Sequence, residues 1–265
     1  MASHYVPYCG LPPGPGSVAW NLDPILISVL AVGAGLYILA MRRWPLSMRG
    51  EPAPGPLGFA AGWLVLAGSF ISPLCNLSVA LFSARIGQHM ILILAAAPLL
   101  VLGGADILFA RAFGFDASRR NKAETFAAPL LFAFVLWFWH MPEPYDATLQ
   151  SHIVYWSMEI SLLATGVMLW RCLLRDLSRN PGPAIAASLF TGLQMTGLGA
   201  LLVFMPRAVF AAHFTTTEVW GLSPLQDQQL GGLIMWLPFG LILTVHLVGA
   251  VGAFMQALER KAEAI

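Results

Sequence analysis

Seven runs of predominantly apolar residues constrain this chain more than any motif does. They extend from Pro24 to Met41, Phe59 to Phe82, Met90 to Phe109, Phe126 to His140, Ile153 to Leu174, Pro183 to Met205 and Leu230 to Met255. Most approach the roughly 20 residues that cross a hydrocarbon core. Inside lipid a segment must satisfy its own backbone N–H and C=O groups, so such runs are predicted to be helices. The chain is 58% apolar and only 10% charged, far below the roughly 25% charged of a soluble domain. The expected fold is therefore an all-α membrane protein, a single seven-helix transmembrane bundle over residues 24–256. A Pro/Gly-rich arm, 1–23, precedes it, and a tail, 257–265, follows.

Positive charge sets the expected orientation, because Lys and Arg are retained on the cytoplasmic side during insertion. Twelve of the fourteen Lys and Arg fall in alternate loops on one side. Only Arg85 and Arg207 fall on the other, which places the N-terminus outside and the C-terminus in the cytoplasm. With a net charge of +1 no basic stripe remains for a nucleic-acid partner. The opening MASHYVPYCGLPPGPGS has no positive start before an apolar run, so the first spanning helix is expected to direct insertion. Cys9, Cys75 and Cys172 lie far apart without a CxxC pair, which argues against a zinc ribbon, a redox dithiol and a disulfide framework. In SFISPLCNLS, Pro73 predicts a kink whose freed backbone groups Ser72 and Asn76 would satisfy.

On this topology five of the six histidines, His4, His89, His140, His152 and His213, collect on the outer face, and His246 alone lies in an inner half. Interfacial helix ends favour such amphipathic side chains, but the pairing is more specific. Only eleven residues, Met141 to Ser151, join the fourth and fifth helices, so His140 and His152 are expected at similar depth. Glu159 follows about two turns below His152 on the same helix face. An ionisable group there needs a partner and is a candidate functional residue; a structural hydrogen bond to Ser161, Gln194 or the backbone is the plainer alternative. Imidazole suits copper, zinc and iron, while methionine thioether favours Cu(I). His89 with Met90, and His140 with Met141, therefore point to copper, although methionines also fill gaps in apolar cores. Asp227 caps a helix start or orients a histidine, and Gly231 and Gly232 allow close helix approach. No Walker, GxSxG or HExxH motif is present, so the chain is not expected to be an enzyme.

The stretch LFSARIGQHMILILAAAPLLVLGG, the HMPEPY of His140 to Tyr145 with His152 downstream, and DQQLGGLIMWLP from Asp227 to Pro238 resemble the CtaG-type cytochrome c oxidase assembly factors, named for caa-type oxidases. The resemblance, which extends to the opening WNLDP, implies a multi-pass protein of the bacterial inner membrane. It implies action on haem–copper oxidase subunits, with copper supply from a donor protein to the oxidase. His89, His140, His152 and Asp227 match the recurrent polar positions. Many members carry a further histidine where this chain has Arg85, so a paired i, i+4 ligand motif is missing here. The expected metal set is His89, His140, Met141, His152 and Asp227 around Cu(I), with Glu159, Met90 and His213 as further candidates. The alternatives are a metal-free scaffold for oxidase subunit or haem assembly, and a transporter or redox protein using Glu159 and His246.

Overall fold

The computed structural model describes residues 5–42, 55–112, 122–176 and 181–263. His4, Arg43, Arg49, Arg119, Arg120 and Arg179 of the charge and histidine patterns lie outside them. The described elements are helical: α1 (Pro24–Arg42), α2 (Pro56–Ile71), α3 (Pro73–Ala80), α4 (Phe82–Ile91), α5 (Ala97–Leu102), α6 (Ala105–Ala112), α7 (Lys122–Trp139), α8 (Pro142–Thr148), α9 (His152–Asp176), α10 (Pro181–Phe204) and α11 (Pro224–Glu263). Among the described residues five helical stretches are long and apolar enough to cross a membrane, and two bent pairs raise the number to seven if each counts as one span. The chain is a multi-pass membrane protein.

Local chemistry explains where the helices break. Pro73 lacks an N–H and clashes with the preceding turn, so α2 stops at Ile71 and α3 restarts after a bend of 50°. Ser72 caps the new start, its Oγ accepting from Leu74 N at 3.4 Å. Asn76, expected to serve this break, does other work. Its Nδ2 donates to the carbonyls of Cys9 (2.8 Å) and Leu11 (3.0 Å), and its Oδ1 accepts from Ala19 N (3.0 Å). The second bend is sharper. Pro142 opens α8 after the last turn of α7, and the chain swings by 77°.

The third span also differs from the reading of its apolar run. It begins at Phe82, two turns before Met90, and continues through a π-helical turn at Leu92–Ala96 into α5. The polar residues Ser83, Arg85, Gln88 and His89 depress the hydropathy of its first turns, yet all are buried. Its start is secured from a distance. Asp227 in the first turn of α11 accepts from Phe82 N (2.6 Å), Ser83 N (3.1 Å) and Ser83 Oγ (2.5 Å). The expected cap is real, but it closes α4 and not the helix that carries it. Gly231 and Gly232 make that approach possible: a Cβ on Gly231 would fall 2.5 Å from the Phe82 ring, and one on Gly232 would fall 3.0 Å from Gly199 O on α10.

The cysteine reading is corrected. Cys9 and Cys75 form a disulfide across 66 residues, and Cys172 is buried. Spacing alone argues against a framework, but a single bridge needs only that the arm fold back, and residues 5–23 do so. Tyr8 donates to Asp23 at 2.6 Å and stacks on Tyr155 at 5.1 Å. Trp220 Nε1 donates to Pro13 O at 3.1 Å, and Asn21 N donates to Ile71 O at 2.9 Å. The arm thus lies over the bundle end formed by the starts of α3, α4 and α9, called here the arm end.

Candidate functional site

The polar side chains below the arm come from three helices. On α4, Arg85 and His89 are one turn apart and share a face. On α9, Tyr155 and Glu159 do the same, and the break between α7 and α8 contributes His140. Trp139 Nε1 donates to Ser161 Oγ at 2.9 Å, which sets the end of α7 near the level of Ser161. His140 therefore lies deeper than His152, because α8, and not a loop, climbs back toward the arm end. The expectation of similar depth fails on that helix.

Hydrogen bonding sorts the histidines. His89 Nε2 lies 3.2 Å from Glu159 Oε1. A carboxylate accepts, so Nε2 carries the proton, and in the neutral ring the lone pair is on Nδ1, which is buried and unpartnered. His140 Nδ1 lies 2.7 Å from Leu136 O. A carbonyl only accepts, so here the lone pair is on Nε2, again buried and unpartnered. Glu159 Oε2 and Gln88 Oε1 are also without partners. Buried polar atoms of this kind cost about 1–3 kcal/mol each and call for an explanation.

The other described histidines are differently placed. His213, buried in the connection from α10 to α11, has Nδ1 3.2 Å from Ala80 O and Nε2 2.7 Å from Tyr145 Oη. Burial and the charge of Arg85 push its pKa down to about 3. His246 contacts Leu173 O at 3.0 Å and Ser188 Oγ at 3.0 Å. His152 donates through Nε2 to Val6 O at 3.1 Å and packs on Tyr5 and Tyr8, with the rest of the ring exposed.

Of the residues expected to ligate, His89 is held by Glu159 and His140 by Leu136 O, and each keeps one ring nitrogen buried and without a partner. His152 belongs to the arm contact, Asp227 to the α4 cap, and His213 to the Tyr145 bond. Met141 is 53% exposed, whereas Met90 is packed in the apolar core. Among the described residues no three His, Cys, Asp or Glu groups are arranged to hold a metal ion.

Arg85, assigned to a loop by its sequence position, is 1% exposed. Its Nη1 donates to Thr148 Oγ1 at 2.5 Å and its Nε to Ser78 O at 3.3 Å. Its guanidinium lies 5.3 Å from the Tyr145 ring centroid and 5.8 Å from that of Tyr155, a cation–π setting. The only sequence signal for this was its place four residues before His89. Tyr145, Thr148 and Tyr155 gave none, since nothing separates them from interfacial aromatic and hydroxyl residues. The π-helical turn begins three residues after His89. Such insertions recur at functional sites, and Trp170 Nε1 takes up the Ile93 carbonyl here at 2.7 Å.

A family model described as cytochrome c oxidase caa3 assembly factor (Caa3_CtaG) matches residues 35–257. The chain is 26% identical over 250 residues to Mb0105 of Mycobacterium bovis and equally to MT0111 of Mycobacterium tuberculosis, both described as uncharacterized proteins. Each alignment covers 82% of this chain and 36% of the relative, so the chain spans about a third of the length of the curated relatives it matches. No solved structure matches it.

Proposed function

The chain belongs to the family of caa3 cytochrome c oxidase assembly factors; from that premise we propose that it carries Cu(I) as cargo between His89 Nδ1 and His140 Nε2 and passes it to haem–copper oxidase subunits. The observation that supports this is the tautomer pattern. Each ring gives its N–H to a fixed acceptor, Glu159 for His89 and Leu136 O for His140. Each keeps a bare lone pair in a buried place. Metal-ligating histidines are oriented by such acceptors, which raise ligand basicity and fix the ring. Two imidazoles suffice for a two-coordinate Cu(I) ion, and such an incomplete set suits an ion that must leave again. In this reading Glu159 is a positioning residue for His89.

We place the arm end on the extracytoplasmic face of the bacterial inner membrane. The charge pattern of the loops supports this, and so does the Cys9–Cys75 bridge, since disulfides persist in oxidising compartments. A copper-donor protein would then meet the arm end from outside, and the oxidase subunits would meet it within the same bilayer. The role is delivery.

One observation favours a second reading, a metal-free scaffold for oxidase assembly: the absence, among the described residues, of a group of three His, Cys, Asp or Glu placed for an ion. The two readings separate in one titration. Detergent-purified protein is offered Cu(I) anaerobically as its bicinchoninate complex, with ascorbate and no thiol, so that the disulfide stays closed. One equivalent retained by the wild type and lost from the H89A/H140A variant supports delivery. Negligible copper in both supports the scaffold.

A further inference from the structure

The cysteine bridge stands in a fixed relation to the histidine cluster. The Tyr155 hydroxyl is 3.4 Å from Cys9 Sγ and 3.9 Å from Cys75 Sγ. One turn further along the same face of α9 is Glu159, which holds His89. Two sulfurs, a phenol, a carboxylate and an imidazole thus descend in a column from beneath the arm. Asn21 Nδ2 donates to Cys75 Sγ at 3.6 Å. Cys9 sits in a turn closed by Gly10 N to Pro7 O at 2.9 Å, two residues before the exposed Leu11, and both cysteines are buried.

In the disulfide state the sulfurs offer a metal no charge, and the arm is locked across the column by Asn76, Tyr8 and Trp220 as well as by the bridge. Opened, the same two atoms are thiols, one on the arm and one on α3, at the top of the column. Deprotonated thiolates are the soft ligands that select Cu(I).

We propose that Cys9 and Cys75 are a redox-gated entry site for Cu(I), one step above the histidine pair. An external dithiol reduces the bridge by thiol–disulfide exchange. The S–S bond breaks, the dithiol leaves as its own disulfide, and both cysteines are left as thiols. Cu(I) then displaces the two thiol protons and is held as a bis-thiolate, with no change in its oxidation state. Ligand exchange onto His89 and His140 returns the protons to the sulfurs. An external disulfide accepts the two electrons that close the bridge again, sealing the arm over the loaded cluster. The destination of the ion rests on the delivery reading; the capture step does not.

The test uses the full chain in two redox states. Oxidised protein is compared with protein reduced by dithiothreitol and freed of reductant under argon, each titrated with Cu(I) bicinchoninate. The oxidised form is expected to take one equivalent. The reduced form is expected to take two, the second with near-ultraviolet thiolate-to-Cu(I) absorption. The C9S/C75S variant should take one under both conditions, and reduced H89A/H140A should take one with the thiolate absorption. Equal uptake by oxidised and reduced wild type overturns the entry site. Failure of the oxidised protein alone to bind copper overturns the histidine reading and leaves the thiol site standing. Reduced wild type keeps every side chain, so the comparison does not depend on a variant that fails to fold.

Discussion

The two ends of the bundle treat buried charge differently. At the end away from the arm, Asp106 accepts from Arg175 Nε (2.9 Å) and Nη2 (2.7 Å), with Arg171 Nε at 3.6 Å. The same Nη2 serves Val101 O, and nearby His246 has a contact at each ring nitrogen. Every one of these groups is answered by the protein, as packing in lipid requires. At the arm end the accounting is split. Asp227, His213 and Asn76 are answered in full, whereas His89, His140 and Glu159 each keep one atom without a partner under the same low exposure. The lesson is that burial does not tell these histidines apart; the unanswered ring nitrogen does.

Changing an answered group should therefore cost stability without touching copper. The largest effect is expected for Asp227→Ala, which strips three donors at the start of α4. A loss on the order of 3 kcal/mol follows from leaving buried donors unpaired, to be read as a lower midpoint in thermal unfolding in detergent. Copper uptake per folded molecule should stay at one equivalent. A fall in uptake out of proportion to the unfolded fraction would break the separation.

His213 sharpens the contrast through pH. Its folded pKa is pushed down to about 3, below the unfolded value of roughly 6.5. Between these values the unfolded chain binds the extra proton, so stability is complete above about pH 6.5 and declines as pH falls. By pH 5 the decline is on the order of 2 kcal/mol, at about 1.4 kcal/mol per unit. Unfolding midpoints of wild type and H213Q over pH 5–8 check this, with a shallower acid side expected in the variant. Parallel curves would show that His213 is not the titrating group.

The smallest effect is expected at His152. It is exposed and its one hydrogen bond is to the arm, so His152→Ala should cost less than about 1 kcal/mol and leave copper uptake unchanged. Loss of uptake would return His152 to the ligand set.

These cases also show what the chain made legible. Apolar length outlined the helical membrane architecture, because lipid imposes that pattern directly. The kink at Pro73 and the close approach at Gly231 and Gly232 were readable for the same local reason. The intramembrane Glu159 was recognisable as needing a partner, but nothing in its neighbourhood named His89, 70 residues away. The start of α4 was missed because its polar residues look like a loop until Asp227, in another helix, caps it. His140 and His152 were expected at similar depth because eleven residues read as a loop, whereas PEPYDAT folds as α8. The Cys9–Cys75 bridge depends on the arm folding back, a tertiary fact with no spacing signature.

The most direct test of the central claim is the copper-edge X-ray absorption spectrum of oxidised protein loaded with one equivalent of Cu(I). The predicted spectrum has two nitrogen scatterers with imidazole multiple scattering and no sulfur, and it is lost in H89A/H140A. A shell dominated by sulfur, or the same spectrum from the variant, would contradict the assignment of the cargo to His89 and His140.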